Sequence, residues 1–180
     1  MLNITVPERE LYDEINNEFI TIPEKTICLE HSLVSVSKWE SKWKKPFLSK
    51  DAKTVEETID YIKCMTITQN VDDKIYQYLT KENIQQINEY IDNSMTATTF
   101  YDTRKNTGHQ ENITSELIYY WMINLNIPME CQKWHLNRLL TLIKVCNIKS
   151  DSGKKMSRSE INSRNAALNA ARRKKLNTRG

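Results

Sequence analysis

The chain has 180 residues, enough for one compact domain with a tail, and 39% of them are hydrophobic, a low share that leaves some segment solvated. No apolar run reaches membrane-spanning length, and no cationic start followed by an apolar stretch marks a secretory leader, so the chain is expected to stay in the cytoplasm where it is made, with no membrane partner. The net charge of +3 hides an asymmetry: residues 149–180 hold ten Lys or Arg against Asp151 and Glu160, a net of +8, which leaves −5 on the other 148 residues.

The N-terminal run Leu2-Asn3-Ile4-Thr5-Val6 alternates apolar and polar until Pro7. Residues 19–22 (FITI) and 26–29 (TICL) are short and β-branched, separated by Pro23-Glu24-Lys25; this predicts a hairpin of these two strands with the N-terminal strand alongside. From Ser32 the period changes. Leu33, Val36, Trp39 and Trp43 recur at helical spacing, and the helix stops before Pro46. Thr54-Val55-Glu56-Glu57 reads as a capping box opening a second helix, with Val55, Ile59, Ile62 and Cys64/Met65 as its apolar face. Thr80 caps a third helix carrying Ile84, Ile87 and Ile91, and the Thr-rich stretch 93–112 with Gly108 reads as a long loop.

Thr114 begins the most hydrophobic part. Leu117, Ile118, Trp121, Met122 and Leu125 form one helix, ended by Asn126 and Pro128. A second runs from about Pro128, and Trp134, Leu136, Leu139, Leu140, Leu142, Ile143 and Val145 wrap most of its circumference, which predicts an antiparallel helical hairpin at the centre of the fold. Residues 149–155 (KSDSGKK) read as a flexible linker. Ser157-Arg158-Ser159-Glu160 is another capping box, and the chain stays helix-permissive to Leu176, with a thin stripe of Ile161, Leu168 and Ala171 that firms up only against a partner. The expected fold class is mostly α with a small N-terminal β element (α+β). Residues 1–148 form a globular helical domain with an N-terminal β-hairpin; residues 149–180 form a basic, partly disordered C-terminal helical arm.

The chemistry-bearing residues give no enzyme signature. Cys28 and His31, with Cys131 and His135, match a Cys2His2 inventory, but no CxxC or knuckle glycine accompanies them, and buried thiols with structural histidines are the favoured reading. Gly153-Lys154-Lys155-Met156-Ser157 matches only the end of a phosphate-binding loop, without the upstream glycine or a preceding strand. Trp39 and Trp43 among Lys38, Lys42, Lys44 and Lys45 make an aromatic–basic face for nucleic acid or a partner; the competing reading, tryptophans packed on the core with wet lysines, weighs more. Three readings fit the basic tail: non-specific nucleic-acid binding, docking on an acidic protein surface including this protein's own body, or solubilisation.

Residues 118–147 (IYYWMINLNIPMECQKWHLNRLLTLIKVCN), 154–157 (KKMS), 165–169 (NAALN) and 29–40 (LEHSLVSVSKWE) resemble proteins of tailed bacteriophages, in particular the tail assembly chaperone family. The resemblance implies a protein of the host cytoplasm during infection that binds the tape measure protein and helps recruit tail tube subunits. No catalytic residue, cofactor or metal is implied. The expected partner-binding residues are Trp39, Trp43, Trp121 and Trp134 around a groove for an amphipathic helix, and Arg158, Arg164, Arg172, Arg173, Lys174 and Lys175 on a tethering arm; a homo-oligomer is compatible with this. The alternatives are a virion structural protein (connector, neck or baseplate component) whose arm docks on neighbouring subunits or DNA, and a small nucleic-acid-binding regulator.

Overall fold

A computed structural model describes residues 1–13, 18–100, 112–152 and 158–176. It begins with four strands, β1 (Leu2–Val6), β2 (Arg9–Asp13), β3 (Glu18–Ile22) and β4 (Lys25–Leu29). β1 pairs antiparallel with β4 and β2 with β3. Leu2 faces Leu29 and Val6 faces Lys25; beyond a gap, Arg9 faces Ile22 and Asp13 faces Glu18. The register is the same on both sides of the gap. Continued across it, that register sets Pro7 opposite Glu24 and Glu8 opposite Pro23. Each proline removes a ladder donor, so the pairing breaks there without slipping. The two β-branched runs are therefore not each other's partners, as the sequence suggested. They lie end to end along one side, and the charged segment 9–13 supplies the unforeseen strand opposite β3. The inner pair alternates as a half-buried ribbon should, turning Ile4, Val6, Ile27 and Leu29 into the core.

Helices begin where local capping chemistry tells them to. α1 (Leu33–Trp43) opens on Ser32, whose hydroxyl accepts from Ser35 N–H at 3.3 Å while Ser35 Oγ accepts from Ser32 N–H at 2.9 Å. It closes at Lys44, which takes the left-handed conformation (φ 56°) and donates its N–H to Glu40 O at 2.8 Å. α2 (Val55–Met65) has the Thr54–Glu57 box at 3.2 and 2.8 Å. Its stripe matches the expected one in part: Ile62 and Met65 are buried, but Val55 is exposed, Ile59 and Cys64 are half-buried, and Glu57 and Tyr61 are buried beside them. After α2 the chain lies antiparallel to the end of β4, with Glu30 N–H donating to Met65 O at 2.9 Å and Ile67 N–H to Cys28 O at 2.8 Å. A 3-10 segment (Asp73–Tyr78) leads to α3 (Lys81–Asp92), which packs on β1. Residues 101–111 of the expected loop lie outside the described residues.

α4 (Ser115–Asn124) is followed by a second 3-10 segment (Met129–Lys133) and α5 (Leu136–Ser152). The expected helical hairpin is not the core. α1 is the hub, with α2, α4 and the second 3-10 segment packed on it. α5 buries a single stripe of Leu136, Leu139 and Ile143, while Leu140, Leu142 and Val145 are only half-buried. Apolarity around the whole circumference did not mean enclosure.

The chain forms two compact units, residues 1–144 and 145–180, with the division falling inside α5. Residues 149–152, expected as linker, continue α5; the rest of that linker and the Ser157 cap lie outside the described residues. The second unit carries α6 (Arg158–Leu176), ending at the residue where helix-permissive sequence ended. Among the described residues no helix is long and apolar enough to cross a membrane.

Candidate partner-binding surfaces

The four tryptophans have different environments. Trp39 is sealed in the core, its indole N–H donating to Glu57 O at 2.8 Å, its ring stacked on Trp43 (6.2 Å) and edge-on to Phe47 (5.2 Å). It is not a partner contact, and a groove lined by all four tryptophans is excluded. An amphipathic helix must bury its stripe, and Trp39 is the stripe's centre. Trp43 is half-buried and donates its N–H to Asp60 Oδ2 at 2.9 Å. Lys42 lies over the Trp43 ring and pairs with the same carboxylate. Burial pushes the Asp60 carboxyl up, but the hydrogen bonds from Lys42 and Trp43 outweigh it and hold the group below its usual range. Lys45 reaches the buried Glu57 at 2.6 Å, and hydrogen bonds from Lys45 and the Thr54 backbone lower that carboxyl. The aromatic–basic face thus ties α1 to α2.

Glu40 escaped notice in the sequence, where a charged residue in a helix reads as solvated. It is buried, its Oε1 accepting Phe47 N–H and its Oε2 accepting Ser115 N–H, both at 2.7 Å. One carboxylate fixes the turn after α1 and the N-terminus of α4, where negative charge is favoured. The available signal was positional: Glu40 lies seven residues after Leu33 and four after Val36, on the apolar stripe.

The Cys/His inventory is also only partly assembled. His31 and His135 meet edge to face with ring centroids 5.0 Å apart, but among the described residues no group of three or more His, Cys, Asp or Glu is placed to hold a metal. Cys131 lies on the second 3-10 segment and not on one helical face with His135. His31 Nδ1 is 2.5 Å from Tyr61 Oη, and His135 donates Nε2–H to Tyr90 O at 2.9 Å. That tautomer leaves His135 Nδ1 a buried acceptor without a partner among the described residues. Leu136 N–H donates to His31 O at 2.7 Å, and Tyr90 Oη donates to Glu30 Oε1 at 2.7 Å. Burial, then repulsion from His135, pushes His31 down to about 3; burial lowers His135 as well. The pair is a neutral junction joining the ribbon's end, α2, α3 and α5.

Some exposed apolar groups, Val55, Ile67, Met129 and Ile148 among them, are scattered, but three elements carry them in clusters. α4 buries only Ile118 and Met122 among its large side chains, leaving Tyr120 (60% exposed) and Ile123 (68%) on its outer face, with Trp121 half-buried at the margin. Trp134, half-buried beyond α4, is covered by the Arg138 guanidinium at 4.3 Å. On the outer strand pair, Tyr12 (51%) and Phe19 (72%) face each other across the ladder with centroids 5.1 Å apart. On α6, Ile161 and Leu168 are exposed, as are Arg158, Arg164, Arg172, Arg173, Lys174 and Lys175. At 100° per residue, Ile161, Arg164, Leu168, Arg172 and Lys175 share one face. No family model matches the sequence, and no curated protein or solved structure is significantly similar to it.

Proposed function

We propose that the protein is an assembly chaperone of bacteriophage tails, which holds the tape measure protein on the outer face of α4 and engages tail tube subunits through α6. The observation that carries this reading is the α4 surface. A chain of low mean hydropathy (−0.64) keeps Tyr120 and Ile123 in water on its most apolar helix, next to a half-buried Trp121. Aromatic and aliphatic side chains held on a fixed helix are what an amphipathic segment docks against, because they contribute contact area with little ordering cost. The sequence resemblance supplies the identity of that segment. The basic arm suits a tether: its charge attracts an acidic surface over a Debye length before contact forms.

Two measurements test the proposal. Co-expression of the full chain with the tape measure protein should shift the latter from the insoluble to the soluble fraction and yield a complex on purification. Mass spectrometry of purified mature particles beside infected-cell lysate should find the protein abundant in lysate and missing from particles. Retention in particles at fixed copy number would overturn the chaperone reading in favour of a connector, neck or baseplate component.

A further inference from the structure

We propose that the protein self-associates by docking α6 of one copy on the Tyr12–Phe19 face of the outer strand pair of a second copy. This does not depend on the chaperone reading. The two surfaces match in charge. Residues 8–13 and 18–24 hold Glu8, Glu10, Asp13, Glu18 and Glu24 against Arg9 alone, a net of −4. Residues 158–176 hold six Lys or Arg against Glu160, a net of +5.

They also match in layout. Alternation along β2 places Glu10 on the strand face that carries Tyr12, with Phe19 and Thr21 opposite on β3; Glu8 immediately precedes the strand, and all five are exposed. An apolar pair is thereby flanked by carboxylates. On α6 the complementary order appears, with Ile161 and Leu168 one heptad apart (about 10 Å of helix) and Arg164, Arg172 and Lys175 alongside. An isolated two-stranded ribbon is marginal in water, and so is a helix with a thin apolar stripe. Each gains order from covering the other. The two surfaces lie on different parts of the chain, so the contact is heterologous and propagates from copy to copy into rings or open arrays instead of stopping at a symmetric dimer.

The test is a charge swap read by sedimentation of the full chain. Wild type at about 100 µM should sediment well above its 21.2 kDa monomer mass at low salt (about 50 mM), and return toward monomer at about 0.5 M, where the Debye length shrinks to a few ångströms. A ribbon variant (Glu8→Lys with Glu10→Lys) and an arm variant (Arg172→Glu with Lys175→Glu) should each weaken self-association at least roughly tenfold. Mixed together, they should restore it, because the native arm of the first meets the native ribbon of the second and the reversed arm meets the reversed ribbon. Restoration by mixing also shows that both variants are folded. A monomeric wild type at low salt would overturn the proposal. So would failure of the mixture to recover.

Discussion

Acidification offers a direct way to interrogate the buried histidine junction. His31 sits at about 3 in the folded protein against 6.5 when unfolded. Between those values the unfolded chain takes up a proton that the native state refuses, so stability falls as pH drops through the window and levels off only near its lower end. Going from pH 7 to pH 5 this one group removes about 2 kcal/mol, from the 1.36 kcal/mol per unit of linkage. His135, lowered by burial as well, acts in the same direction. Urea unfolding followed by tryptophan fluorescence at pH 7, 6 and 5 would measure the fall. In His31→Gln, which cannot titrate, stability at pH 7 should be lower but the fall to pH 5 should shrink by about 2 kcal/mol. An equal fall in both proteins would refute the idea that this imidazole is kept neutral by its surroundings.

Other substitutions separate structural from partner-facing residues. Glu40→Ala strands the Phe47 and Ser115 N–H groups and should cost about 2–4 kcal/mol in urea unfolding, with Glu40→Gln, which keeps one acceptor, in between. Trp39→Ala should cost about 3–5 kcal/mol, as for a fully buried aromatic, while Trp43→Ala costs less because part of its ring already meets water. Tyr120→Ser with Ile123→Ser should leave the urea midpoint nearly unchanged, as exposed sites do, and yet weaken tape measure binding at least tenfold by titration calorimetry. Unchanged affinity would remove α4 from the proposed binding surface.

What the sequence disclosed depends on how far apart the deciding atoms lie. The starts of α1 to α4 were legible because Ser32, Thr54, Thr80 and Thr114 cap backbone groups three residues away, an arrangement contained in four letters; α5, expected from about Pro128, begins only at Leu136 after a 3-10 segment. Strand pairing was not, because β2 and β3 choose partners through a register shared with β1 and β4, and the alternation of 9–13 is masked by its charges. Trp39 and Trp43 look alike in sequence; a difference of one turn decides that one is core and the other marginal. Glu40 escaped notice, and His135, read as structural, could not be given its partner, for a common reason. A buried polar side chain is tolerated only with partners, and theirs lie 75 and 45 residues away, beyond any local pattern.

The same reasoning bears on where function resides. Burial favours the wrong ionisation state or leaves donors empty, so a buried polar group at a reactive site is usually poised for something outside the fold. Here Glu40, Glu57 and Asp60 each bind backbone, lysine or indole groups of the same chain, and His31 meets Tyr61. Their chemistry is consumed in holding α1 against its neighbours. The apolar side chains left in water have no such internal use: Ile123 and Tyr120 on α4, Phe19 on the ribbon, Ile161 and Leu168 on α6. A folding chain gains nothing from presenting them, and each invites association. Their clustering on three elements, beside scattered exposed groups such as Val55 and Ile67, is the feature on which the proposed binding of other polypeptides rests.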